Sequence, residues 1–396
     1  MDRPFSGLRV LDLTHVLAGP FATYMLAVHG AETIKIEPPG EPDPVRGRGP
    51  DQTLNERLMG INYLTQGANK RAITLDLKTE AGRRILRRLA ERADVLVENY
   101  RAGALASLGL GYSDLRRLNP RLVYCSLTGY GQGGPRSAVN AYDNVVQAAS
   151  GLMAMTGTEA ASPMKVGASI VDYAAGMAAA FAIAAALQQR SRTGEGVWID
   201  CAMLDAALML MGTQVTAAHA GAPPPKPRGN EQSEAGLGCY ETADGLLMLG
   251  AFNRRQHERL WLAFERPDLA RLSSWTDMAR HASAMRALLA ERLKAKTAAA
   301  WEDWFHELSI PAERVRTINE ALALAEAQER PVTARLPIED SRGQPVRVPL
   351  APFRLSRGSA AITVPPPAMG ADTDAVLDEL GLNAGEIAEL RKDGVI

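Results

Sequence analysis

The sequence predicts an α/β protein built on a parallel β-sheet, with a smaller α+β region attached. Three observations carry that expectation. Apolar, β-branched runs alternate with helical stretches through residues 1–200, the pattern of βαβ units whose sheet is covered on both faces. A proline-rich stretch at 222–228, APPPKPR, then breaks the chain as a stiff connector. Beyond it the texture changes, and at roughly 150 residues per domain the 396 residues divide into two.

Leu8 to Thr14 (LRVLDLT) reads as the first strand, and Gly19-Pro20 opens a helix that runs to Val28 and stops at Gly30. Ala31 to Glu37 (AETIKIE) returns as a strand. The rhythm repeats through AITLDLK (72–78), a basic amphipathic helix to Glu91, ADVLVEN (93–99) and, after Asn119-Pro120, RLVYCSLTGYG. From Asp172 an alanine-rich helix continues to about Arg192 and stops at Thr193-Gly194; the strand GVWID and an apolar helix from Met203 follow. GCYETADGLLMLGA reads as a β-hairpin turning at Ala243-Asp244-Gly245, with helices near 254–264, 282–296 and 298–308 after it. Proline-punctuated extended pieces return after about residue 330, and TDAVLDELGLNAGEIAELRKDG closes the chain as two small helices. The expected domains are therefore 1–200, the first part of a large Rossmann-like domain; 201–228, a linker; 229–325, a small α+β domain; and 326–396, a segment that rejoins the large domain.

Charge narrows the function. With 44 Lys+Arg against 45 Asp+Glu the net charge is −1, which excludes a general nucleic-acid binder, so a polyanionic ligand must be held by a local basic cluster. A hydrophobic content of 46% excludes disorder. Cys125, Cys201 and Cys239 form no CxxC pair, so neither a zinc site nor a disulfide framework is expected and a reducing cytosol fits. The N-terminus has no apolar signal core. The longest apolar run, Ala174 to Leu187, is shorter than the roughly 20 residues of a membrane span and reads as a buried helix. A soluble cytoplasmic protein with no membrane partner is the expectation.

The six histidines show no HxH or HExxH spacing, and no metal site is expected. GxSxG and GxxxxGK[ST] are absent, and the first βα turn, HVLAGP, lacks GxGxxG. Asp172, at the start of the long helix, has two readings. It is an N-cap that satisfies free backbone amides, or a nucleophilic carboxylate kept ionised by the helix N-terminus, with Ala174, Ala175 and Gly176 leaving room for a substrate. Both can hold at once. Gly129 to Pro135 (GYGQGGP) follows a strand and either offers backbone N–H groups to a thioester oxygen or is a plain loop. Gly236 and Gly238 form a mobile lid or serve the tight entry to a strand. Lys78 and Asn99-Tyr100-Arg101 lie at strand ends, where open α/β sheets bind ligands, and suit a phosphorylated one; solvated surface charge is the alternative.

Together these segments resemble the class III coenzyme A transferases (CaiB/BaiF), the family of formyl-CoA transferase and the carnitine CoA-transferase-like proteins. The resemblance runs through GLRVLDLTHVLAGP, GAETIKIEPPG, NKRAITLDLK, ADVLVENYRAG, LNPRLVYCSLTGYGQGGP, AYDNVVQAASGL, Asp172, RSRTGEGVWIDCAMLDA and GADTDAVLDELGL. Only 225–330 matches loosely. The resemblance implies that Asp172 is the nucleophile, forming first an aspartyl–acyl anhydride and then an aspartyl-CoA thioester. It implies no prosthetic group, with coenzyme A and its acyl thioesters as substrates, and a homodimer of interlocked ring-like subunits. Val16, Ala18, Leu75, Lys78, Asn99 and Tyr100 match positions at the CoA site, with Arg101 beside them; Leu17, Tyr142 and Asp143 match positions near the reacting group.

Departures from formyl-CoA transferase are Leu17 for its glutamine, Pro38 and Ser107 for two arginines, and Asn140 for a lysine. They count against formyl or oxalyl transfer, and leave Arg46, Arg71 or Arg101 to compensate. A small dicarboxylate such as succinate is the donor acid that the family's breadth implies. Two alternatives remain. An α-methylacyl-CoA racemase/epimerase would carry a histidine before an aspartate where this chain has Tyr142-Asp143, and tyrosine, with a pKa near 10, is a poor base at neutral pH. A non-catalytic acyl-CoA-binding protein would tolerate loss of the nucleophile, which Asp172 argues against.

Overall fold

The computed structural model describes residues 3–272, 274–330 and 332–396. Two compact units emerge: Met1–Leu152 with Lys165–Pro223 and Pro331–Ile396, and Met153–Met164 with Pro224–Arg330. In the first unit β1 (Arg9–Leu13) leads to α1 (Ala18–Val28), β2 (Glu32–Glu37), α2 (Ile61–Gly67), β3 (Lys70–Thr74), α3 (Glu80–Ala90), β4 (Val95–Glu98) and β5 (Val123–Thr128). Then come α4 (Asp143–Ser150), α5 (Ile170–Thr193), β6 (Trp198–Ala202) and α6 (Met203–Leu210). All six strands pair in parallel in the order β3-β2-β1-β4-β5-β6. That order reverses direction between β1 and β4, and the crevice beyond the carboxyl ends of those two strands is where such sheets take ligands.

Each face of the sheet buries its own core. Leu11, Leu13, Ile34, Ile36 and Leu96 pack under α3, whose apolar residues Ile85, Leu86 and Leu89 recur at helical spacing. Thr79 caps α3 by accepting the Gly82 N–H at 3.0 Å. Val10, Val95, Val97 and Cys125 face the other way, against α1 and α5. The C-terminal segment covers the exposed edge of β3. Asp372 accepts the Ala72 N–H at 2.8 Å, Thr373 accepts that of Thr74 at 3.0 Å, and α10 and α11 follow (Thr373–Glu379 and Ala384–Lys392).

The second unit holds a three-stranded antiparallel sheet, β7 (Leu237–Glu241), β8 (Leu246–Gly250) and β9 (Ala312–Arg314), with α7 (Arg254–Ala263), α8 (Trp275–Arg292) and α9 (Ala298–Glu307). Its core gathers Trp261, Trp301, Phe305 and Leu289. In the first unit β10 (Thr333–Glu339) and β11 (Pro345–Pro349) form a separate hairpin.

Four expectations need correction. The range 201–228 is not all linker, because β6 and α6 occupy its first part and a further helix spans Gly212–His219. Residues 153–164, assigned to the large domain, join the second unit. The 282–296 helix begins earlier, at Trp275, where Ser274 accepts the Asp277 N–H and starts it. The third strand begins at Lys70 and ends at Thr74, two residues before and four before the limits of 72–78, because its lysine is buried rather than solvated.

The long helix α5 also differs from a fully buried one. It is long and apolar enough to cross a membrane by length and composition, and 33% of its most apolar window is buried. Val171, Ala175, Ala179, Ile183 and Ala186 form the stripe that packs into the core, and Arg190 closes it with an ion pair to Asp94 at 2.8 Å. Phe181 on the opposite side is 76% exposed.

Candidate active site

A cavity of about 490 Å³ opens at the β1/β4 switch point. The turn after β1 supplies His15, Val16, Leu17 and Ala18; the end of β4 supplies Asn99, Tyr100 and Arg101. Leu127, Thr128 and Gly129 come from the end of β5, Asn140 and Tyr142 from the approach to α4, and Asp172 and Met203 complete the wall. Eight of the site residues assigned from sequence therefore meet in one place, Val16, Leu17, Ala18, Asn99, Tyr100, Arg101, Tyr142 and Asp172, with Gly129 and Asn140 beside them.

Asp172 is the third residue of α5 and not its cap. The N-cap is Ser169, whose side chain makes no capping bond; the amides are instead satisfied from another helix. Asp143, at the start of α4, accepts the N–H of Val171 at 2.8 Å and that of Asp172 at 3.3 Å, while its second oxygen accepts from Gln147 Nε2 at 2.6 Å. A buried carboxylate thus caps α5 from outside and sets where Asp172 sits. Among the described residues no donor reaches the Asp172 carboxyl itself. Burial, with the negative charge of Asp143 added, pushes its pKa up to about 7. The helix start was expected to keep it ionised; these two effects work against that.

Close packing fixes α5 against α1. A Cβ at Gly176, one turn beyond Asp172, would stand 2.5 Å from the Ala18 carbonyl oxygen and 2.9 Å from the Phe21 ring. Gly176→Ala is therefore expected to force the helices apart and cost about 1–3 kcal/mol of stability, measured by urea unfolding. An unchanged midpoint would show that the contact relaxes freely.

The turn after β1 is held with unusual completeness. Asn99 accepts the His15 N–H at 2.9 Å and donates to the His15 carbonyl at 2.8 Å, so its amide joins the two strand ends with one N–H to spare at the cavity. The His15 ring packs edge-on to Tyr100 at 5.6 Å, and burial lowers its pKa. Sequence had offered no histidine near the carboxylate; the fold brings His15 into the same cavity, along with Thr128 and Met203, which carry no local sequence signal.

Several predicted contacts do not reach the cavity. Leu75, one residue beyond β3, is 1% exposed in the core. Lys78 lies outside the lining, exposed, with Nζ 3.6 Å from Glu41. Gly236 and Gly238 lie in the second unit, Gly238 within β7; a Cβ at Gly236 would stand 3.0 Å from the Ala251 carbonyl oxygen, which fits the tight strand entry. The GYGQGGP amides are partly committed, with Gly131 donating to Thr128 Oγ1 at 3.0 Å and Gln132 to the Asp200 carboxylate at 3.0 Å. Of the three compensating arginines, Arg46 is fully buried and bonded to Glu37 at 2.6 Å, and Arg71 pairs with Glu32 and Glu379. Arg101 is exposed at the cavity and, among the described residues, makes no ion pair. Among those residues no group of three or more His, Cys, Asp or Glu could hold a metal ion.

The fold and the cavity define a doubly wound α/β protein with its ligand site at the switch point. Comparison with known proteins places it further: the model of CoA-transferase family III matches residues 5–373, and the chain belongs to that family. It is 35% identical over 400 residues to the succinyl-CoA:glutarate CoA-transferase of Mus musculus, covering 100% of this chain and 90% of that one. It is also 35% identical to the succinate–glutarate CoA-transferase of Agrobacterium fabrum, over 95% of this chain and 96% of that one. Among solved structures, a CaiB/BaiF family protein from Brucella suis superposes with a TM-score of 0.82 at 29% identity, covering 96% of this chain and 100% of that one. The chain is a CoA-transferase, an enzyme that moves CoA between an acyl-CoA and a carboxylic acid.

Proposed function

We propose that Asp172 is the nucleophile and that small dicarboxylic acids are the acid substrates. One observation carries the first part: the cavity at the switch point presents a carboxyl with no hydrogen-bond donor among the described residues and a pKa near neutrality. An anion stripped of donors is a stronger nucleophile than one solvated by water. Its oxygen attacks the thioester carbonyl and expels the CoA thiolate, leaving an aspartyl–acyl anhydride. The thiolate then attacks the aspartyl carbonyl, which gives an aspartyl-CoA thioester and the free donor acid. The acceptor carboxylate repeats the two steps in reverse and restores Asp172. In this reading Arg101, exposed at the cavity, meets a CoA phosphate, and Tyr142, 62% exposed there, donates a hydrogen bond to the acyl group.

The dicarboxylate reading rests on the relatives' names, which cite succinate, glutarate, mesaconate and citramalate. A donor–acceptor matrix read by mass spectrometry of the CoA esters tests it. Succinyl-CoA with dicarboxylic acceptors is expected to give product well above monocarboxylic acceptors; preference for monocarboxylates contradicts it.

Ionisation sets a pH dependence. Attack needs the carboxylate, so kcat/KM is expected to rise with pH and level off above about 7, following the free enzyme's Asp172. A profile already level at pH 5 would place the nucleophile's pKa elsewhere. Pairing with a second copy and a cytoplasmic location belong to the same proposal. The groove lined by Ala178, Ala182, Met209 and Leu210, with Met209 79% exposed, supports the pairing, which the chain's mass in solution tests.

A further inference from the structure

Three consecutive residues after β1 have every backbone polar group bound by a side chain. Thr14 N–H donates to Asp12 at 3.0 Å and its carbonyl accepts from Lys35 Nζ at 2.8 Å. His15 is clamped at both ends by Asn99. Val16 N–H donates to Asp43 Oδ1 at 3.1 Å, and its carbonyl accepts from Gln66 Nε2 at 2.7 Å. A connection this short normally satisfies itself through turn bonds or water. Here the partners come from β1 and β2, from the loop after β2, from α2 and from the end of β4.

The reason lies in Val16. Its φ is +71°, a left-handed backbone that a β-branched residue adopts only under constraint. Released, Val16 relaxes to an extended or right-handed conformation, and Leu17 and Ala18, which form the cavity wall facing the substrate, turn with it. Asp43 and Gln66 oppose that relaxation, one on the peptide at each side of the strained residue. Both are buried, and among the described residues the Gln66 side chain makes no other hydrogen bond. Asp43 is itself held by Lys35 at 3.0 Å, so its acceptor oxygen cannot swing away.

We propose that Asp43 and Gln66 are positioning residues that hold Val16 in its left-handed conformation, and through it hold Leu17 and Ala18 against the thioester that Asp172 attacks. This rests on the assignment of Asp172 as the nucleophile. Neither residue touches substrate; both act through the Val16 peptide. The strain is therefore part of the site and is kept in place by buried side chains.

Asp43→Asn strips Lys35 of its partner and is liable to unfold the chain, so the test uses Gln66→Met, which removes one bond and nearly keeps the volume. Its kcat for CoA transfer is expected to fall about tenfold or more, with KM for acyl-CoA changed less than threefold, since misplacement of a positioned wall acts on the transition state. The double variant Val16→Gly/Gln66→Met is expected to recover most of that loss, because glycine adopts positive φ without a clamp. A purely structural role for Gln66 predicts no such recovery. Wild-type kcat in Gln66→Met, or a double variant no faster than Gln66→Met, overturns the proposal. The nucleophile assignment is separated by Asp172→Asn: if that variant transfers CoA at the wild-type rate the assignment fails, whatever the Val16 pair shows.

Discussion

Asp172→Asn is expected to lower CoA transfer by at least about 10³-fold while leaving CoA binding within a few-fold, because an amide cannot form the anhydride while the rest of the cavity wall is unchanged. Rate by product mass spectrometry and affinity by calorimetry separate the two. The same variant should be more stable than wild type at pH 8. Asp172 has a folded pKa of about 7 against 3.8 for the free group, so folding disfavours its ionised form. That penalty is absent below about pH 3.8, grows as pH rises, and is complete above about 7, at roughly 2–4 kcal/mol. Asparagine carries no charge to disfavour. The gain should therefore appear at pH 8 and vanish near pH 4; equal gain at both would attribute it to packing.

Lys70→Met is expected to cost about 3–5 kcal/mol, the largest stability effect of any substitution considered. Lys70 Nζ lies 2.8 Å from Asp12, and both side chains are essentially inaccessible. Burial works to push the Asp12 pKa up, yet the charges of Lys70 and Lys35 bring it down to about 2. Without Lys70 the carboxylate keeps its desolvation cost and loses its nearest cation. Lys70→Met/Asp12→Asn should recover most of the loss, since the Asp12–Lys70 pair is removed as a whole; the Thr14 N–H keeps an acceptor oxygen, and the new amide N–H donates to Thr23 Oγ1, whose own hydrogen turns to the Pro20 carbonyl. A single variant no less stable than wild type in urea would show that water reaches Asp12. Because the native carboxyl titrates lower than the free one, the ion pair's contribution is present above about pH 3.8 and fades as pH falls through about 2.

That ion pair also explains what the sequence conceals. β1 and β5 are legible because Val10, Leu11, Leu13, Val123 and Leu127 are apolar runs between turn residues. β3 is misread because its first residue is a lysine, and nothing local says that the lysine points at a buried aspartate two strands away. The address of the site is legible for the same reason the sheet is: residues just after β1 and β4 must meet once the strand order reverses. What each residue does there is not. Asn99 looks like a ligand contact and is also a backbone clamp; Arg46 looks like a phosphate partner and is spent on Glu37. Asp143 caps a helix that begins 27 residues later, a relation no spacing rule contains.

The proposed covalent step is tested most directly by trapping it. Enzyme incubated with succinyl-CoA and hydroxylamine should accumulate a hydroxamate on the Asp172 peptide, identified by mass, with loss of activity in proportion to labelling. An unlabelled Asp172 peptide under conditions where CoA transfer proceeds at full rate would contradict the account.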